Sequence, residues 1–172
     1  MKRFLLLAAL ALTTTVPVLG AEEPPACPLH AAHSKADAEL DLRGDKVMGF
    51  DHSQTIHHFL IEPEGGVIQV EATDPADSES RKAIRSHLSD IAAMFSRGDF
   101  SSPYSIHQRV MPGVPVLIQK KDAIQYRYEE IEKGARVRIV TSDADAVAAV
   151  HDFLGAQIGD HRTGDPVHAH EE

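Results

Sequence analysis

The amino-acid sequence predicts an α+β fold, a two-layer sandwich in which a four-stranded antiparallel sheet built from two strand-strand-helix repeats carries both helices on one face. Three observations point there. Residues 62–73 and 130–141 correspond without a gap. Each segment holds a turn, Pro63-Glu64-Gly65-Gly66 in the first and Glu132-Lys133-Gly134 in the second, flanked by runs that alternate apolar and polar residues. Each is followed by apolar residues at helical spacing, and Ala83-Ile84-Arg85-Ser86-His87-Leu88 matches Ala149-Val150-His151-Asp152-Phe153-Leu154.

The 172-residue chain begins with Lys2-Arg3 and an apolar run that closes on the small-residue pattern Val18-x-Gly20. A run this short fits a cleaved secretory signal over residues 1–20 better than a membrane anchor, so export to the periplasm or beyond is expected. Removing Lys2 and Arg3 with the leader takes the formal charge from -9 to -11. That balance argues against nucleic acid and anionic membrane surfaces as partners and favours attraction of cations. Residues 21–46 are rich in Pro, Ala and charge without a sustained apolar face, which predicts a flexible tether with at most a short helix near residues 34–40.

The folded domain is expected over residues 47–164. Its first strand spans residues 55–62, and the return strand follows with Ile68, Val70 and Ala72 on one face. Asp74-Pro75 reads as a helix start, Ile84, Leu88, Ile91 and Phe95 as the inward stripe, and Gly98 as the stop. The connector 101–121 is too long for a bare loop and predicts either a short helix over 114–120 or a lid. In the second unit Ile124, Tyr126 and Tyr128 alternate with polar residues, Val137 and Ile139 face inward on the return strand, and Thr141-Ser142-Asp143 opens a helix to about His161. Gly164 and Pro166 end it, and residues 165–172 read as a disordered tail.

Eleven histidines and a single cysteine set the candidate chemistry. Cys27, His30 and His33 stand at Cys-x-x-His-x-x-His spacing, a thiolate and two imidazoles that suit copper or zinc. His57 and His58 are neighbours on a strand and must face opposite ways. Alternation with Ile56 and Leu60 puts His58 inward, where His87 and His151 from the two helices could join it in a buried metal site. His57 would then lie on the open sheet face, within reach of His107 from the connector as an acid-base pair. No Gly-x-Gly-x-x-Gly, no phosphate-binding Gly-Lys-Ser/Thr, no His-Glu-x-x-His and no Gly-x-Ser-x-Gly occurs, which removes the commonest nucleotide, metalloprotease and serine-hydrolase signatures.

Met48-Gly49-Phe50-Asp51, His57-His58-Phe59, Gly98-Asp99-Phe100, Pro112-Gly113-Val114 and His161-Arg162-Thr163-Gly164-Asp165-Pro166 resemble a family of small exported bacterial proteins, over residues 47–166. Some members carry the label aspartate carbamoyltransferase. That enzyme is a larger two-domain chain with a Ser-Thr-Arg-Thr phosphate loop, which does not occur here. The resemblance therefore implies an envelope protein rather than that enzyme. Together these readings predict an exported protein that binds a transition metal, copper or zinc, through histidines; a small histidine acid-base enzyme and a module for a non-metal ligand or partner are the alternatives.

Overall fold

A computed structural model describes residues 28–169. The elements run α1 (Pro28–Met48), β1 (Thr55–Glu62), β2 (Gly65–Ala72), α2 (Ser78–Ser96), α3 (Ser101–His107), α4 (Val114–Gln119), β3 (Ile124–Ile131), β4 (Gly134–Thr141) and α5 (Ala144–His161), with 3-10 turns before β1 and β3. All four strands join in one antiparallel sheet of order β1-β2-β4-β3. Each hairpin closes through a two-residue turn, Glu62 pairing with Gly65 and Ile131 with Gly134. The first strands of the two repeats form the edges and the second strands meet at the centre.

One sheet face carries His57, Phe59 and Ile61 of β1, Ile68 and Val70 of β2, Ala135, Val137 and Ile139 of β4, and Tyr126 of β3, as the strand register dictates. Against this face α2 lays Ile84, Leu88, Ile91 and Phe95, and α5 lays Val150, Phe153, Leu154 and Ile158, all buried in one cluster. Helix α2 sits mainly over β3 and β4, and α5 over β1 and β2. Gly66 permits that second approach, since a Cβ there would stand 2.3 Å from Leu154 Cδ1 and 2.5 Å from the Leu60 carbonyl oxygen. Phe95 stacks on Phe100 at 4.2 Å, and Phe153 meets both rings edge-on at 5.9 Å.

Several local features differ from the sequence expectation. Helix α2 starts later than Asp74-Pro75 suggests: Asp74 closes a turn by accepting from Ala76 N, and Asp77 is the N-cap, accepting from Ser80 N at 3.0 Å. The connector holds the expected helix at Val114–Gln119 and a further one, α3, before it. In place of at most a short helix near residues 34–40, α1 runs for 21 residues. It touches the core through the narrow stripe Leu40, Gly44, Val47 and Met48, while Arg43 Nε donates to the Ile106 carbonyl at 2.7 Å and ties it to α3. At the other end Asp165, expected in a loose tail, accepts from Phe59 N and lies 2.9 Å from His58 Nδ1 on the free edge of β1.

Strand β1 faces the other way from the sequence expectation. His57 points to the helices and His58 to the open face. Both sets of alternate residues in this strand are apolar, so alternation defines two faces without saying which is inside. Pairing decides it: Phe59 and Ile61, opposite Ile68 and Gly66, are 4 % and 6 % exposed, whereas Ile56 and Leu60 are 45 % and 36 % exposed.

Candidate functional site

Two clusters of ionisable side chains stand out. The first lies where α1 gives way to β1. Asp51 caps the 3-10 turn His52–Gln54, its Oδ1 accepting from Ser53 N at 2.8 Å and Ser53 Oγ at 2.7 Å. The turn presses His52 back onto the end of α1, where Asp45 Oδ1 accepts from His52 N at 2.8 Å and sits 2.9 Å from His52 Nδ1. Asp51 Oδ1 is 4.0 Å from the same ring nitrogen, and Asp41 Oδ2 is 3.7 Å from Nε2.

Asp45, Asp51 and His52 each bring one ligand atom within 4.8 Å of the others, so this group can hold a metal ion. Hydrogen bonds from the Ser53 side chain and backbone hold the Asp51 carboxyl below its ordinary range, so it stays ionised. Arg162 takes up neighbouring Asp41 at 2.9 Å and Asp37 at 3.3 Å, but neither Asp45 nor Asp51 pairs with a described Lys or Arg. Two carboxylates and one imidazole remain open to a cation on a partly exposed surface.

The second cluster is internal. A cavity of about 60 Å³ between sheet and helices is lined by apolar side chains, Phe59, Ile68, Val70, Leu88 and Phe95 among them, and by four imidazoles. His57 comes from β1, His87 from α2, His107 from the end of α3 and His161 from the end of α5. The rings of His57 and His161 lie nearly parallel with centroids 5.7 Å apart, and His107 meets His161 edge-on at 5.3 Å. Phe50 packs against both His57 and His87.

Burial governs the charge of this set. It pulls His57 down to about 4, with nearby His87, His52 and His58 adding to the shift, and His87 also to about 4. His161 falls to about 3 through burial and the neighbouring His57 and His107. At neutral pH these three rings are uncharged. His107 is lowered by burial too, although Asp160 and Gln157 oppose the shift. Its Nδ1 lies 2.7 Å from Asp160 Oδ2, at an angle poor for an N–H donor, and its Nε2 is 3.1 Å from Gln157 Oε1. His57 Nε2 is buried with no hydrogen-bond partner among the described residues. His87 and His161 form no side-chain hydrogen bond to a described residue either, unlike His52, His58, His107 and His151.

Of the histidines expected to form a buried metal site, only His87 lines this cavity. His58 faces the other side of the sheet and is held by Asp165, while His151 Nε2 lies 2.9 Å from the Glu62 carbonyl oxygen at the end of β1. His57 and His107, expected as an acid-base pair on the open face, both line the cavity beneath the helices instead. His30 and His33 fall in the first two turns of α1, and Cys27 lies outside the described residues. Sequence reasoning missed the Asp45-Asp51-His52 group. Its only local signal is the adjacent pair Asp51-His52 after the i, i+4 acidic residues Asp41 and Asp45. His161 was legible as the last residue of a helix, without its neighbours.

Comparison with known protein families, curated proteins and solved structures finds no match for this chain. No described helix is long and apolar enough to cross a membrane.

Proposed function

We propose that this protein is exported and binds a transition metal, zinc in preference to copper, through His52, Asp45 and Asp51. The observation that carries the reading is the convergence of three ligand atoms within 4.8 Å on a surface where the two carboxylates lack a described Lys or Arg partner. Mixed imidazole and carboxylate donors suit a borderline divalent ion, and two carboxylates offset its charge. The apolar leader supports export. The net charge of -9 supports a role in attracting cations.

Titration calorimetry with Zn²⁺ on the full chain tests this. One ion should bind per chain, and His52→Ala or Asp45→Asn should weaken it at least tenfold. Unchanged affinity in both variants would overturn the assignment.

A further inference from the structure

We infer that this protein pairs with a second copy of itself through the free edge of β3, in an antiparallel register centred on Tyr128, so that the two sheets join into one. The two edges of the sheet are finished differently. On β1 the C-terminal segment covers the edge, with Asp165 accepting from Phe59 N at 2.9 Å. No described residue does the same for β3. Ile131 and Gly134 close a two-residue hairpin and so form a hydrogen-bonded pair. The alternation that follows turns the backbone groups of Gln125, Arg127 and Glu129 toward β4 and those of Tyr126, Tyr128 and Glu130 outward. No described residue bonds to these outward groups. An edge left open in this way is a template for another strand.

Charge selects both the occupant and the register. A two-fold axis at Tyr128 sets outward-facing residues against one another, Tyr128 on Tyr128 of the second copy and Tyr126 on its Glu130, and such pairs exchange backbone hydrogen bonds. The same axis places Arg127 directly opposite Glu129 of the second copy, and by symmetry does so again in reverse. These are non-hydrogen-bonded positions, where Cα atoms stand about 4.5 Å apart and side chains are closest. Both groups are free to respond. Arg127 bonds to the Gln125 side chain on its own strand and forms no ion pair with a described residue. Glu129 gives Oε2 to Arg136 at 2.7 Å, while its Oε1 has only Arg138 at 3.7 Å. Neighbouring registers are worse. An axis at Arg127, Glu129 or Glu130 puts that charge opposite itself, which is destabilising. An axis at Tyr126 drives Glu130 against Asp122 in the 3-10 turn before β3. Helix α2 lies mainly over β3 and β4, so the favoured pairing also brings the two α2 helices side by side along the seam.

Analytical ultracentrifugation of the full chain carrying Cys27→Ser, so that no intermolecular disulfide forms, should show a dimer that dissociates on dilution. Arg127→Glu and Glu129→Arg should each weaken it about tenfold or more, since each puts two like-charge pairs in place of two opposite ones. Mixed together, the two variants should recover the dimer, because each reversed charge then meets the other across the seam. Glu129→Arg also removes the contact to Arg136, so hydrogen exchange with the charges of β3 unaltered gives an independent reading. The amides of Tyr126, Tyr128 and Glu130 should exchange slowly in the dimer and fast after dilution. A monomer at every concentration overturns the inference and leaves the edge to a strand from another protein. So does a dimer that neither reversal weakens, a mixture no stronger than its components, or outward amides whose exchange ignores concentration.

Discussion

Replacing Asp165 with Ala should detach the C-terminal segment from β1 and destabilise the domain by about 2–4 kcal/mol. The Asp165 side chain is 9 % exposed, and one oxygen accepts from Phe59 N at 2.9 Å on the edge of the sheet where no strand pairs. A hydrogen bond from a backbone amide to a carboxylate contributes about 1.5–3 kcal/mol, and its loss leaves the amide at an unpaired edge. The other oxygen faces His58 Nδ1 at 2.9 Å, but the His58 side chain is 38 % exposed, so this pair adds only about 0–1 kcal/mol. Urea denaturation gives the total, and hydrogen exchange at the Phe59 amide localises it. His58→Ala should cost less than about 1 kcal/mol by the same reasoning. The pH dependence has a definite sign. Burial pushes the Asp165 carboxyl up, but hydrogen bonds from Thr163, His58 and the Phe59 amide outweigh it and leave the folded value below the ordinary 3.8. The contribution is therefore complete above that ordinary value and is lost as pH falls through the folded one. A loss below about 0.5 kcal/mol, or unchanged exchange at Phe59, would refute the tie-down.

The metal-free protein should be sensitive to acid through the cavity. His57, His87 and His161 titrate near 4, 4 and 3 when folded and near 6.5 when unfolded, so the unfolded chain binds more protons below neutrality and stability is lost as pH falls. Between pH 7.5 and 5 each imidazole should remove at most roughly 2 kcal/mol, read from urea midpoints across that range, and a flat profile would count against neutral buried rings. Gly66→Ala should cost about 1–3 kcal/mol by thermal melting, because its Cβ would collide with Leu154 Cδ1 and the Leu60 carbonyl; a neutral effect would mean α5 can yield there. Intact mass of protein recovered from the bacterial envelope should show a chain that starts near Ala21, and a species still carrying residues 1–20 would rule out cleavage.

The sequence by itself determined the repeat, the two hairpins and the helices over the sheet, because turn residues, period-two alternation and helical spacing are local and occur twice. Asp143 could be read as the cap of α5 and Gly98 as the residue after α2 for the same reason. Helix α1 was hidden because its apolar stripe is narrow and most of its residues are polar or Ala. Only the tertiary structure decided which face of β1 turns inward, since Ile56 and Leu60 compete with Phe59 and Ile61 and the choice rests on what β2 and α5 present to them. That choice exchanges His57 for His58 in the interior and so changes the composition of the cavity. His107 and His161 enter it from the ends of two helices more than fifty residues apart, and Asp45 meets Asp51 and His52 only because the 3-10 turn folds back onto α1. Spacing along a chain defines the face of an element, whereas the gathering of side chains at a site depends on how elements dock, which is set by the packing of all of them together.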